Sequence, residues 1–304
     1  MKEFKFIELL KPSSVPSPEG IGDDAAVLGN NLISMDIMAE GTHFTFEAAV
    51  EDVLNHPFVS NLSDMAAMGG KVAPYKALFG VSVPEEYDKV MISKALAKLS
   101  KAYNVTIIGG DTVTSKDGAF FALTIIGEKG ERILTRNTAQ KGDVVFVSRP
   151  LGAGKYALQR KSGVLGGKPD INYKFEAETA LGEFLGSFDG VTACIDISDG
   201  LGMDLSHIAN DSGVKIIVDY DKVPVAKIPL PERDKLEFAL SSGEEYALAF
   251  TVSADKADTL EKEVKAKLKR EIYRVGSTES GDRCWLRKKD GTLLDISRIG
   301  YEHR

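Results

Sequence analysis

Several common chemistries are ruled out by what this chain has little of. Its 304 residues hold two cysteines, Cys194 and Cys284, far apart and without a CxxC spacing. That excludes a zinc ribbon and a disulfide framework, and thiols this sparse lead us to expect a reducing, cytoplasmic setting. No Ser/His/Asp or Cys/His arrangement for nucleophilic catalysis stands out. Basic residues are outnumbered 38 to 45, for a formal net charge of −7. A chain without a basic excess is a poor general nucleic-acid binder. The longest mainly apolar run, Ala119 to Ile126, is less than half of a membrane span, and Met1 to Pro12 lacks an apolar signal core. Neither nucleic acid nor membrane is an expected partner.

What is present reads as a globular enzyme. Hydrophobic residues make up 43% and charged residues 27%, and the length suits about two domains. Strand and helix signals alternate, which predicts an α/β or α+β fold. Strands are expected at 31–38, 75–83, 105–108, 119–127, 143–148, 192–197, 215–218 and 246–252. Helices are expected at 53–68, 85–103, from about 154, at 174–185, 203–212 and 254–269. Pro57 should start or kink the first of these helices. The polar stretch Asn137 to Gly142 is the expected boundary between an N-terminal domain, 1–140, and a C-terminal α/β domain, 141–304.

Two phosphate-binding lookalikes fail. Gly152-Ala-Gly-Lys-Tyr-Ala157 matches a dinucleotide fingerprint, but no second strand ending in an acidic residue follows at the required distance. As a Walker A loop it lacks the first glycine, where Arg149 stands, and Tyr156 replaces the hydroxyl that would hold Mg²⁺.

The informative residues are aspartates in turns and at strand ends: Asp23, Asp24, Asp36, Asp64, Asp111, Asp196 and Asp199. One Asp–Gly is usually only a turn. As a set converging on a cleft they would repel one another unless cations lay between them. Carboxylates without His or Cys select hard cations, Mg²⁺ first, and Mg²⁺ in turn bridges to phosphate oxygens.

These aspartates sit in motifs that resemble the thiamine-monophosphate kinase family, within the superfamily of aminoimidazole ribonucleotide synthetase and selenophosphate synthetase. The match is carried by GIGDDAAVL (20–28), DIMAEGTHF (36–44), NLSDMAAMGG (61–70), GGDT (109–112), LTR (134–136), DISDGL (196–201), SSGEEYAL (241–248) and Gly300–Tyr301. The resemblance implies two α/β domains, the N-terminal ones pairing into a β-barrel across a homodimer. It implies ATP as co-substrate, several Mg²⁺ ions and γ-phosphoryl transfer to thiamine monophosphate. It assigns Asp24, Asp36, Asp64, Asp111, Asp196 and Asp199 to metal, and Gly110, Asp111, Arg136 and Ser198 to ATP. His43, Glu244 and Tyr301 fall to the acceptor substrate, with Asp196, Asp199 and Arg136 carrying the catalysis. His56, His207 and His303 receive no role.

The chain departs from the family's pattern at Met35, where the family has Thr, at His56–Pro57, across 166–181, and at Ser242 and Glu245. Two rival readings keep the fold: an ATP-dependent synthetase activating a carbonyl or amide, and a non-catalytic nucleotide binder. The same superfamily includes the hydrogenase-maturation dehydratase, whose C-terminal cysteine is not matched by this chain's Glu302-His-Arg304.

Overall fold

Apolar residues alternate with small or polar ones along Asn31–Ala39 (β2). Leu32, Ser34 and Met38 turn inward there, while Met35 and Ile37 stay exposed. The computed structural model describes residues 3–161 and 176–301. After a short helix, Glu3–Leu10 (α1), β2 joins a five-stranded sheet with Ala26–Leu28 (β1), Tyr75–Val83 (β3), Val105–Thr114 (β4) and Phe120–Glu128 (β5). Its order is β1-β2-β5-β3-β4, antiparallel except for the β3/β4 pair. Helices Val50–Ala67 (α2) and Lys89–Tyr103 (α3) cover one face, burying Leu54, Phe58, Met65 and Leu99 against Leu32, Phe121, Leu123 and Ile125. Asp88 caps α3, accepting from the N–H groups of Val90 and Met91 at 2.8 and 3.1 Å. The other face of the sheet is left bare, with Met35, Ile37, Leu78, Ile108, Val113 and Phe120 exposed.

The second sheet has seven strands in the order β12-β11-β8-β10-β6-β9-β7. They are Val144–Val147 (β6), Val191–Asp196 (β7), Val214–Asp219 (β8), Leu248–Val252 (β9), Tyr273–Ser280 (β10), Cys284–Arg287 (β11) and Leu293–Asp295 (β12). Helices Ala153–Lys161 (α4), Leu201–Ser212 (α6) and Glu232–Leu240 (α7) lie among its connections. Val145, Val147, Ala249 and Val218 pack with Leu205 and Ile208 of α6 on one face. Phe146, Phe250 and Val252 pack on the other face with Leu181 and Leu185 of Thr179–Ser187 (α5) and Leu260 and Val264 of Ala257–Leu268 (α8). Neither sheet closes on itself among the described residues.

Helix α2 belongs to both cores, because its last turn places Ala66 and Ala67 in the C-terminal cluster. It meets α5 at Gly182, where a Cβ would lie 2.2 Å from the carbonyl oxygen of Ala66. Only glycine permits that approach, and it brings Asp64 beside the C-terminal half.

Some expectations need correction. Helix α2 does not start at Pro57 but runs from Val50 through it, with Asn61 Nδ2 bonded to the Pro57 carbonyl at 2.7 Å. Strand β4 is neither short nor buried: it continues through Gly109-Gly-Asp111 to Thr114, exposed along most of its length. Gly110 makes that possible, since at φ +156° a Cβ there would lie 1.8 Å from the Phe79 carbonyl oxygen. Helix α5 covers Thr179–Ser187, and the start expected at 174 lies outside the described residues. Strands β1, β10, β11 and β12 and helices α1 and α7 were not expected at all.

Candidate active site

Three carboxylates from three elements meet where the halves touch. Asp24 precedes β1, Asp64 sits on α2 and Asp196 ends β7, and one oxygen of each lies within 4.8 Å of the others. Burial, then the charges of Asp196 and Asp24, push the Asp64 carboxyl well above the usual carboxylate range. Burial and Asp24 do the same to Asp196. Two hydroxyls work in the opposite sense: Ser34 donates to Asp64 Oδ2, and Ser63 to Asp196 Oδ2 at 2.7 Å.

Arg136 brings positive charge. Its Nη2 lies 2.8 Å from Asp24 Oδ1 and its Nε 3.3 Å from Oδ2, and its backbone N–H donates to Asp23 Oδ1 at 2.7 Å. Burial pulls the guanidinium's pKa down, but Asp24, Asp196 and Asp23 outweigh it and keep the group charged. Arg136 therefore belongs to the cleft, and in this arrangement its fork is engaged by an aspartate.

Three close carboxylates against one guanidinium leave excess negative charge in a dry place, which a bound cation would cancel. Every donor is an oxygen, so the set fits a hard divalent cation such as Mg²⁺. Asp24, Asp64 and Asp196 would hold it.

The remaining expected residues divide by location. Asp36 lies on the helix-covered side of β2 with Ser34, close enough to raise the Asp64 pKa. Ser198, Asp199, Glu244 and Tyr301 form a rim tied by backbone bonds: Glu244 N–H donates to the Ser198 carbonyl at 2.7 Å and Tyr301 N–H to that of Asp199 at 3.0 Å. Gly300 is needed here, since a Cβ would meet the Asp199 carbonyl at 2.9 Å. His43 sits on the exposed loop after β2, its Nδ1 accepting from Ala39 N–H at 3.0 Å, which leaves the proton on Nε2. Gly110 and Asp111 do not join the cluster within one chain. They lie on edge strand β4, three strands from Asp36 and so roughly 14 Å away.

Besides Ser34 and Ser63, the sequence reading missed other supports. Asp204 is buried and accepts from the N–H groups of Asp199 and Gly200 at 3.2 and 2.9 Å, which fixes the turn after Asp196. Glu245 is fully buried, and its Oε1 takes the N–H groups of Gly152 and Gly154 at 2.9 Å each. The amides that a phosphate would need at this fingerprint lookalike are thus engaged by the chain's own carboxylate. His56 also joins these contacts: its Nε2 lies 2.7 Å from the Tyr246 hydroxyl and 3.2 Å from Glu244 Oε1. Of the departures from the family pattern, residues 166–175 lie outside the described residues, as do 302–304 with His303.

The architecture matches known proteins along its whole length. Residues 22–128 fit the model of the AIR synthase related protein N-terminal domain, and residues 140–288 that of its C-terminal domain. The chain is 30% identical to the thiamine-monophosphate kinase of Bacillus subtilis strain 168, over 100% of this chain and 99% of the relative. It is 32% identical to the enzyme of that name from Buchnera aphidicola subsp. Acyrthosiphon pisum, over 84% of this chain and 83% of the relative. A solved structure described as AaThiL complexed with AMPPCP and TMP superposes with a TM-score of 0.81 at 26% identity, covering 100% of this chain and 97% of that one. With the fold and the aspartate cluster both in place, the chain belongs to the thiamine-monophosphate kinase family of AIR synthase-related proteins.

Proposed function

We propose that this protein transfers the γ-phosphoryl group of ATP to the phosphate of thiamine monophosphate, giving thiamine diphosphate and ADP. The observation that carries the reading is the buried Asp24–Asp64–Asp196 cluster beside Arg136, set in a chain whose relatives bear that activity's name. A bond forms between an acceptor phosphate oxygen and the γ-phosphorus, and the bond from that phosphorus to the β–γ bridging oxygen breaks. A phosphate monoester is largely dianionic near neutral pH, so the nucleophile needs no general base. The difficulty is bringing two anionic phosphates into line.

The chain's own residues meet that need by role. Asp24, Asp64 and Asp196, with Asp36 and Asp199 beside them, would hold Mg²⁺, which when bound cancels phosphate charge. Ser34 and Ser63 orient two of these carboxylates. Arg136 holds Asp24 in place and carries positive charge toward the phosphates, and Ser198 lies at the nucleotide's rim. His43, Glu244 and Tyr301 serve the acceptor, an aromatic ring and a carboxylate suiting a cationic heterocycle.

Gly110 and Asp111 complete this reading only from a second copy. The bare sheet face of Met35, Ile37, Leu78, Ile108 and Phe120 supports a homodimer formed there, the N-terminal sheets facing each other as a barrel. We place the domain boundary near residue 140, between the two matched regions, and the reaction in the cytoplasm. No helix among the described residues is long and apolar enough to cross a membrane. The test is incubation with Mg-ATP and thiamine monophosphate, read by product chromatography. Thiamine diphosphate and ADP in equal amounts are expected. ATP binding with no diphosphate formed would remove the reading and leave the fold.

A further inference from the structure

The loop between α7 and β9 holds two side-chain-bearing residues in the left-handed backbone region, Glu244 at φ +55° and Tyr246 at φ +51°. Such conformations are rare for these residue types and persist where the surroundings impose them. Here the backbone is pinned to the strand that ends in Asp196: Glu244 N–H donates to the Ser198 carbonyl at 2.7 Å, and Tyr246 N–H to that of Ile197 at 3.0 Å. The result aims two side chains at helix α2.

There they meet His56. Its Nε2 lies 2.7 Å from the Tyr246 hydroxyl and 3.2 Å from Glu244 Oε1, the two rings edge-on at 5.7 Å between centroids. A bare Nε2 would face the carboxylate lone pair to lone pair, so this nitrogen carries the proton and donates. The Tyr246 phenol is buried, and that burial, with Glu244 and the aspartate cluster, raises its pKa well above the usual value, so it remains a neutral hydroxyl. Glu244 Oε1 is thus held, whereas its Oε2 is buried with no hydrogen-bond partner among the described residues. A buried carboxylate oxygen without a donor is costly, and a ligand donor is the natural remedy.

We propose that His56 and Tyr246 are positioning residues for the phosphoryl acceptor: His56, its ring fixed by the Tyr246 hydroxyl, holds Oε1 of Glu244 so that Oε2 receives a donor from the acceptor's cationic heteroaromatic end. Helix α2 carries both His56 and Asp64, eight residues apart and so about 12 Å along the axis. One rigid element thereby sets the distance between the group that recognises the ring and the cluster that handles phosphate. This rests on the acceptor being thiamine monophosphate.

The experiment compares wild type with His56→Ala, His56→Gln and Tyr246→Phe in the full chain. Affinity for thiamine monophosphate is measured by calorimetry with Mg²⁺ and AMPPCP present, and AMPPCP affinity is measured separately. His56→Ala and Tyr246→Phe are expected to weaken thiamine monophosphate binding by about tenfold or more while AMPPCP binding is unchanged. His56→Gln, which keeps an N–H donor, should recover part of the loss. Unchanged acceptor affinity, or equal losses for both ligands with a lower melting temperature, would overturn the proposal, as would a wild type that does not bind thiamine monophosphate. Wild-type turnover judges the transfer reading separately: binding that depends on His56 without any turnover would sink that reading and leave this one standing.

Discussion

Asp196 is where the electrostatics are most demanding, because burial and Asp24 both resist its charge. Asp196→Asn removes that repulsion and keeps an oxygen for the Ser63 hydroxyl, so the metal-free protein should melt no lower than wild type. The variant should lose the rise in melting temperature that Mg²⁺ gives wild type, and its kcat should fall about a thousandfold. Arg136→Ala behaves in the opposite way. It strands a nearly fully buried Asp24 carboxylate without its partner, and a loss of about 3–5 kcal/mol is expected in denaturant unfolding. His207 gives a pH signature. Burial and the charge of Arg136 lower its pKa from 6.5 to about 4. An unfolded chain takes up this proton as pH falls through 6.5, whereas the folded one resists until about 4. The contribution is therefore full above pH 6.5 and is lost on acidification toward 4. His207→Gln should flatten that part of the melting-temperature profile.

At the scale of elements, the α2/α5 contact decides whether Asp64 faces Asp196. Gly182→Ala would press a methyl into the Ala66 carbonyl, so thermal denaturation should show a lower melting temperature, accompanied by weaker Mg²⁺ stabilisation. Elements such as α2, β3 and β5 were legible because their apolar residues repeat with the period of the structure. Strand β10 was not. Its run Tyr-Arg-Val-Gly-Ser-Thr-Glu-Ser has no alternation, and it is held by its neighbours instead. Gly276 lets the Ile217 carbonyl approach, and buried Thr278 bonds the amide of Asp143 at 2.9 Å. Pro57 misled about where α2 begins, because packing around a long buried helix outweighed a local breaker. The aspartates were visible through their turn contexts and the family's motifs. The supports Ser63, Asp204, Glu245 and His56 were not, since each acts through a partner distant in the chain or through backbone amides that carry no residue signature.

The whole molecule leaves one apolar sheet face bare and Gly110 and Asp111, the residues expected to contact ATP, about three strand spacings from Asp36. Pairing through that face would resolve both. Sedimentation should report twice the 32.9 kDa chain mass for wild type, and Leu78→Lys should yield monomers with little turnover. A wild-type monomer with full activity would refute the pairing. The most direct test of the phosphotransfer itself follows the atom transferred. ATP labelled at its γ-phosphorus is incubated with the protein, Mg²⁺ and thiamine monophosphate, and the products are separated. The label is expected in the terminal phosphate of thiamine diphosphate, one for each ADP formed. Label released as free phosphate, at a rate indifferent to thiamine monophosphate, would contradict it.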